Sequence, residues 1–249
     1  MKRIITVALC LGLIVVIATG CVTVDITPAL HGRSIVTGSG SPEVFTFSVG
    51  DITEVNIEMF CNVEYYATPS DVVTLEIQPN LIEFITVEES GGVLNVRSII
   101  GLSIPSKGNP VLTLWAPNLS RISITGAGDF KAHDTISVDT FSFDMSGAGS
   151  GRAELDVRNL YVTIAGTGIL TLQGVADTAD FSMAGAGDIE ALALQTRRSD
   201  INLAGVGSVK VSCSENISIV AGGVGTVEYR GSPRLDVSKG GLVTIRQVD

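Results

Sequence analysis

Apolar and polar residues alternate along most of the chain, and between Ile122 and Val227 this alternation becomes a repeat. The repeated unit is apolar, polar, apolar, small, Gly, small, Gly, and it occurs as ISITGAG, FDMSGAG, VTIAGTG, FSMAGAG, INLAGVG and IVAGGVG. The first glycines are Gly126, Gly147, Gly166, Gly185, Gly205 and Gly223, so successive differences are 21, 19, 19, 20 and 18 residues. A period of about 20 residues predicts one structural unit stacked on copies of itself.

Alignment on the first glycine gives two apolar columns separated by a mainly polar one, which is the period of a β-strand with one face inward. The first apolar column is Ile122, Phe143, Val162, Phe181, Ile201 and Ile219. The second apolar column is Ile124, Met145, Ile164, Met183, Leu203 and Ala221. The column between them is Ser123, Asp144, Thr163, Ser182, Asn202 and Val220. Beyond the Gly-x-Gly corner, a further column predicts a second strand in each copy; it consists of Phe130, Gly151, Leu170, Ile189, Val209 and Val227.

A unit of this length cannot close a sheet alone, but it can form one coil of a parallel β-helix. Coils then pair at about 4.8 Å, and the apolar columns fill the interior. Glycine suits the corners because it tolerates positive φ and close backbone approach. Two glycines per copy disfavour helical repeats. We therefore predict an all-β fold, a parallel β-helix with about 20 residues per coil and almost no α-helix.

The N-terminal segment has the features of a secretory signal, with two basic residues, an uncharged apolar run and small residues before Cys21. Because the run ends on Gly-Cys, the segment resembles a bacterial lipoprotein signal, whose cysteine is acylated after cleavage. Ala18 departs from that motif, which usually has a branched residue there. The uncharged run extends to Val24, which is long enough for an uncleaved membrane anchor, and simple secretion is the other alternative. We predict lipid attachment at Cys21, and every alternative exports the domain.

The predicted organisation is a signal over residues 1–20, a tether over 21–32 and one β-helix domain over 33–249, with irregular coils in 33–116 and regular coils in 117–249. Ile99 to Asn109 is predicted to form a loop that interrupts the stack, because it contains Pro105 and Gly108. The charged pair Arg197 and Arg198 is predicted to lie in a solvated loop.

The formal net charge is −10, and an acidic exported surface disfavours binding to nucleic acid or to anionic lipid. Cys10 leaves with the signal, so Cys61 and Cys213 are the cysteines outside the predicted lipid site. Exported cysteines often pair, but these two lie far apart in a stack where each coil meets only its neighbours. We therefore predict two buried thiols.

A catalytic site on a β-helix needs acid and base groups on adjacent coils, and two carboxyl groups about 5 to 9.5 Å apart if it hydrolyses glycosides. Asp129 and Asp188 share a column but stand three coils apart, about 14 Å. We predict that they accept backbone hydrogen bonds at corners. His31 and His133 are too few for a zinc site, and the period does not fit the nonapeptide calcium roll. We predict no catalytic residue, no cofactor and no metal.

A family resemblance rests on the order of several motifs. RSIVTGSG from Arg33 precedes alternating strands, then GGVLNV from Gly91, LWAPNL from Leu114 and ITGAG from Ile124. This succession, over about residues 33 to 243, resembles the bacterial family of the putative auto-transporter adhesin, head GIN domain. The resemblance implies a right-handed, single-stranded parallel β-helix on an exported, often lipid-anchored protein, with adhesion as its role and no established activity. The sequence ends without a heptad stalk or translocating barrel, so we expect the lipid on Cys21 to supply the anchor.

Three functions follow, and we favour the first. The first is a lipid-anchored surface protein that binds a polysaccharide or a component of a host or neighbouring cell without chemistry, because the polar column from Ser123 to Asn202 suits a repetitive ligand. The second is a structural module of the cell envelope that associates with copies of itself. The third is a polysaccharide lyase or hydrolase. The expected contact with a membrane is through the N-terminal lipid.

Overall fold

The computed structural model describes residues 35–104 and 108–249. One short 3₁₀-helix, Pro79–Phe84, lies among strands that account for most of the described chain. The strands in chain order are β1 (Ile35–Thr37), β2 (Glu43–Ser48), β3 (Glu54–Ile57), β4 (Asn62–Tyr66), β5 (Val72–Ile77), β6 (Ile85–Ser90), β7 (Val93–Ser98), β8 (Gly101–Ser103), β9 (Val111–Trp115), β10 (Arg121–Ile124), β11 (Phe130–Ala132), β12 (Ile136–Met145), β13 (Ala148–Ile164), β14 (Thr167–Met183), β15 (Ala186–Leu203), β16 (Val206–Ala221), β17 (Val224–Arg230), β18 (Arg234–Lys239) and β19 (Leu242–Gln247).

Successive coils pair in parallel, in the register that the glycine alignment predicts. Ile122 pairs with Phe143, Phe143 with Val162, and the column continues coil by coil to Ile219. The column beyond the glycine corner is likewise in register, from Phe130 to Val227. The coils form a β-solenoid of about seven turns. The predicted parallel β-helix is therefore confirmed.

In the regular coils a single strand occupies nearly the whole coil. Strands β13, β14, β15 and β16 contain 17, 17, 18 and 16 residues, whereas the sequence pattern predicts two shorter strands per coil. The strands end only at the Gly-x-Gly corner. The other corner, near Arg158, is crossed without a break because the flanking residues Val157 and Asn159 keep their pairing with the next coil.

The core is a set of apolar ladders inside the solenoid. Along β13, buried and exposed residues alternate, as expected for a strand with one face inward. Phe143, Phe181 and Met183 are at most 1% exposed, because each is covered by the inward residue of the next coil. Burial of one such side chain stabilises the fold by about 1.5 to 3 kcal/mol. Most of the solenoid's stability therefore comes from contacts between neighbouring coils.

The N-terminal part combines parallel and antiparallel pairing. Strands β3 and β4 continue the parallel stack next to β10 and β11, and β7 and β9 continue it next to β3 and β4. Strand β6 then pairs antiparallel with β7, and β5 pairs antiparallel with both β9 and β2. The edges of this last parallel coil are thus covered by antiparallel strands, which satisfy backbone groups that would otherwise be open. The sequence predicts only irregular coils there.

Two local predictions differ from the structure. The predicted loop from Ile99 to Asn109 contains strand β8, which pairs in parallel with β1. The predicted loop at Arg197 and Arg198 is wrong, since both residues lie within β15 beside a β-bulge. The strand continues through them because its neighbours on both sides are strands, although their side chains remain 55% and 58% exposed.

Across residues 35–104 and 108–249, no helix has the length and apolar character needed to cross a membrane. The predicted signal, the tether, the lipid-attachment residue Cys21 and His31 lie outside the described residues.

Candidate functional site

The predicted polar column forms an outward ladder, here called the polar face: Ser123, Asp144, Thr163, Ser182 and Asn202. Its residues are in register, one per coil. The ladder extends to Asn56 and Asn95, and the Asn56 Nδ2 group donates a hydrogen bond of 2.9 Å to Asn95 Oδ1. The depression in front of the last three coils has a volume of about 500 Å³. The polar face is therefore continuous, as predicted, but encloses little space.

A larger concavity lies on another side of the solenoid, and the sequence analysis did not identify it. We call it the lateral groove; it has a volume of about 1070 Å³ and is lined chiefly by residues 137–139, 156–158, 175–177, 195–197, 212–214 and 230–232. Each of these segments belongs to a different coil, so the groove crosses successive coils. An extended ligand would therefore contact the same part of each coil in turn.

The floor of the groove is the ladder Val138, Val157, Ala176, Thr196 and Cys213, paired from coil to coil. Five members at strand spacing give a floor about 19 Å long. Thr196 is buried and its hydroxyl donates a 2.8 Å hydrogen bond to Ser212 O, so its polar group is satisfied within the protein. The floor is therefore rigid and mainly apolar.

The shape of the groove depends on unequal coil lengths. The pairing of β15 with β16 shifts register between Ala191 and Gln195, where β15 contains extra residues. The backbone also approaches closely at Gly174, whose φ is +106° and where a Cβ would lie 2.1 Å from Leu155 O. These two irregularities remove the strict repetition of the coils on this side.

One wall of the groove carries acidic and basic side chains in alternation, here called the charge ladder: Asp139, Arg158, Asp177, Arg197 and Glu215. Arg158 Nε lies 2.8 Å from Asp139 Oδ1, and Arg197 lies 3.8 Å from Asp177 and 2.9 Å from Glu215. The hydrogen bond between Arg197 and Glu215 raises the pKa of the guanidinium and lowers the pKa of the carboxyl. The ladder thus holds its side chains in charged, mutually paired positions.

The other wall presents Ser137, Asp156, Gln195 and Ser212, and it ends at Arg230. Arg230 donates hydrogen bonds of 2.9 and 3.1 Å to Asp249 O and a longer one of 3.4 Å to Leu192 O. Its position is therefore fixed by backbone oxygens. The residues lining the groove include three aspartates and three arginines, so the groove is formally neutral on a chain of net charge −10.

A signal for this wall is present in the sequence. Asp139, Arg158 and Asp177 are spaced by 19 residues, which equals two of the glycine intervals. Their alternating sign would have indicated an outward, ion-paired column.

The corner aspartates take the role that the sequence predicts. Asp129 Oδ1 accepts hydrogen bonds from Ser150 N at 2.8 Å and Ser150 Oγ at 2.6 Å. Asp188 Oδ1 accepts the same pair from Ser208, at 3.0 and 2.6 Å. The donors belong to the next coil, so these carboxylates join adjacent corners. The structure does not bring the two aspartates together.

Two carboxylates that the sequence analysis overlooked stand beside the polar face. Asp180 and Asp200 are register partners on adjacent coils. Burial, and then repulsion from Asp200, raise the pKa of Asp180. Both side chains are exposed, whereas an acid and base pair works in a site that excludes water.

His133 belongs to a stacked aromatic ladder rather than to a cluster of metal ligands. Its ring lies 4.6 Å from that of Tyr66 at an interplanar angle of 3°, and Tyr66 stacks in turn on Trp115 at 6.1 Å. The His133 Nε2 atom contacts Glu64 Oε2. Among the described residues, no group of three or more potential metal ligands of the His, Cys, Asp and Glu types is present.

Cys61 and Cys213 are buried free thiols, as predicted. Burial raises the pKa of Cys61 to about 12. The thiol of Cys213 donates to Arg197 O and Asn216 O, at 3.2 and 3.1 Å. Both cysteines therefore serve in packing, and Cys213 supports the groove floor from inside.

Stacked parallel coils, glycine corners and long polar lateral surfaces define a β-solenoid protein. The family model described as putative auto-transporter adhesin, head GIN domain matches residues 51–233. The chain belongs to this family, and the predicted family membership is confirmed. No protein of curated function matches the sequence significantly.

Solved structures show the same fold. A putative adhesin from Bacteroides fragilis NCTC 9343 is similar with 24% identity and a TM-score of 0.80, covering 86% of this chain and 100% of its own. A putative adhesin from Parabacteroides merdae ATCC 43184 has 15% identity and a TM-score of 0.65, with coverages of 86% and 99%. A putative lipid binding protein from Parabacteroides distasonis ATCC 8503 has 20% identity and a TM-score of 0.64, with coverages of 87% and 100%. These relatives carry names of binding proteins, not of enzymes.

Proposed function

We propose that the protein is a lipid-anchored, surface-displayed adhesin that binds an extended ligand without catalysis. The observation that carries this proposal is the lateral groove, which crosses successive coils and offers repeated polar groups beside an apolar floor. The adhesin names of the family and of its structural relatives support the same role. The predicted signal ending at Cys21 supports export and anchoring in the cell envelope.

The arrangement of charges supports a role without catalysis. A general acid must hold a proton near neutral pH, which requires a carboxyl group kept from ionising. On the charge ladder, Asp139 and Asp177 are separated by Arg158, and a neighbouring guanidinium favours the ionised form of a carboxyl group. Incubation with neutral and acidic polysaccharides, followed by analysis of the products, tests this point. New reducing or unsaturated ends that disappear in an Asp180→Asn variant would make the protein an enzyme.

The anchor is tested by expressing the full chain in a bacterium and measuring its intact mass and its partitioning into detergent. We expect a chain that begins at Cys21 and carries a lipid-sized mass increment. The Cys21→Ala variant should lose both the increment and the partitioning. An unmodified wild-type chain would refute lipid anchoring and leave the binding proposal without its tether.

Adhesion is tested by comparing cells with and without the gene for attachment to surfaces coated with polysaccharides or with envelope material from other cells. We expect attachment to fall in the deletion strain and to return with the wild-type gene. Equal attachment of both strains on every surface would refute the adhesive role.

A second candidate, self-assembly, is favoured by the C-terminal coil. Strands β18 and β19 pair on one side with β16 and β17, and within the described residues their other edges have no strand partner. Leu235 and Val237 continue buried ladders but are 39% and 44% exposed. Lys239, however, stands in register with the buried Ala221, and a charge at such a position discourages edge pairing. A monomer in sedimentation runs at high concentration would exclude this function.

A further inference from the structure

We infer that the lateral groove binds a linear, uncharged polysaccharide lying parallel to the solenoid axis. This inference rests on the proposed binding function and specifies its ligand.

The alternation of charge along the wall selects against polyelectrolytes. Asp139, Arg158 and Asp177 occupy consecutive coils, so the sign reverses at each step of about 4.8 Å. A polymer with the same charge on every unit would meet a repulsive group at every second coil, which is the usual way a surface rejects a partner. A polyanion is also repelled by the net charge of −10.

Hydroxyl groups fit both signs. A guanidinium only donates hydrogen bonds and a carboxylate only accepts them, whereas a hydroxyl group can do either. A polymer with hydroxyl groups on each unit can therefore bond to every member of the wall in turn. The contacts between Arg158 and Asp139 and between Arg197 and Glu215 already hold these side chains in place, which lowers the entropy lost on binding.

The backbone around the groove disfavours a peptide ligand. Extended peptides commonly bind by adding a strand to a free sheet edge. Strands β13, β14, β15 and β16 are each paired on both sides through the groove region. A peptide in the groove would have no row of free backbone groups to pair with, so its own amide groups would lose their hydrogen bonds to water without replacement.

The test uses the full chain in a non-ionic detergent without a sugar head group, because a sugar detergent would compete for the groove. The probes are a linear neutral glucan and a mannan, with polygalacturonate as a polyanion and chitosan as a polycation. Val175, in the first wall, is 45% exposed, so Val175→Trp should fill the groove without entering the core. Val220→Trp is the matched control, since Val220 is 51% exposed and stands beside the polar face.

We expect at least one neutral polymer to bind, with affinity weakened about tenfold or more by Val175→Trp and changed less than about twofold by Val220→Trp. Gln195→Ala, a smaller change in the same wall, should weaken binding in the same direction. The affinity should rise with oligosaccharide length until the ligand spans the floor of about 19 Å. It should also be nearly independent of salt, since no counterions are released.

Several results would overturn the inference. Stronger binding of polygalacturonate or chitosan that is lost in Val175→Trp would keep the groove and the adhesive role but reject a neutral ligand. Loss of binding only in Val220→Trp would transfer the site to the polar face. If no polymer binds although the gene still promotes cell attachment, the ligand class is wrong and the proposed function stands. If neither is observed, both fail.

Discussion

Replacement of Gly185 by alanine should destabilise the solenoid, because a methyl group has no room between two coils. The φ of Gly185 lies outside the left-handed region, so the requirement for glycine here is one of space. A Cβ atom would lie 1.8 Å from the carbonyl oxygen of Gly166. The favourable separation of non-bonded carbon atoms is about 3.5 to 4.0 Å. The two coils would have to move apart by about 1.7 Å, the difference between 3.5 and 1.8 Å.

That movement would break the hydrogen bonds that tie the corner to the preceding coil. The N–H groups of Ala184 and Gly185 donate to Ile164 O at 2.9 and 3.1 Å, and that of Ala186 donates to Gly166 O at 2.9 Å. At about 0.5 to 1.5 kcal/mol each, three lost bonds cost about 1.5 to 4.5 kcal/mol. This is a large fraction of the 5 to 15 kcal/mol by which a folded domain is typically stable.

Gly222 provides a matched control, because it lies in the same type of corner but a Cβ there would meet nothing within 4 Å. Gly222→Ala should be neutral or stabilising by up to about 1 kcal/mol, since it reduces the entropy of the unfolded chain. The assay is urea unfolding followed by circular dichroism, which gives the free energy of unfolding of both variants and of the wild type. If Gly185→Ala is as stable as Gly222→Ala, the close approach of coils at the glycine corner is not what the sequence selects.

Three further predictions concern single residues. Met183→Asp should lower the free energy of unfolding by more than about 1.5 to 3 kcal/mol, because Met183 is fully buried, whereas outward Ser182→Asp should be nearly neutral; equal losses in urea unfolding would mean that the faces are misassigned. Asp180→Asn should stabilise the protein by about 0.2 to 1 kcal/mol at neutral pH, because the raised pKa of Asp180 reflects burial and repulsion from Asp200. Protonation relieves the repulsion, so this gain should vanish as the pH falls toward 3.8; a gain that persists at low pH would contradict its electrostatic origin. Cys61, with its pKa raised to about 12 by burial, should resist alkylation at pH about 8 in the native state and react after unfolding; rapid labelling of the native protein, seen by mass spectrometry, would contradict its burial.

The repetitive part of the fold was predictable because each coil imposes the same constraint on its neighbours. Phe181 and Met183 are inward for the same reason as Phe143 and Met145, since the parallel register places them directly above one another. The glycine corners were predictable because only glycine allows two backbones to approach so closely.

The antiparallel strands at the N-terminal end could not be predicted from the same pattern. Strands β5 and β6 show the alternation of any half-buried strand, and alternation does not encode the direction of the neighbouring strand. That part of the chain also lacks the repeated glycines that fix the register elsewhere.

The lateral groove was missed because it arises from deviations from the repeat. Its shape depends on the extra residues between Ala191 and Gln195, and its chemistry on outward charges that an alignment on glycine does not emphasise. The polar face from Ser123 to Asn202 was found because it lies next to the glycine corner. Columns near the landmark of a repeat are aligned reliably, whereas those half a coil away shift with each change in coil length.

The most direct test of the account is the attachment of living cells through the groove. A strain lacking the gene is complemented with the wild type, Val175→Trp or Val220→Trp at equal surface levels, and attachment to a neutral polysaccharide coating is counted under flow. Because Val175 lines the lateral groove and Val220 stands beside the polar face, we predict that the wild type and Val220→Trp restore attachment and that Val175→Trp does not. Equal restoration by all three would contradict adhesion through the lateral groove.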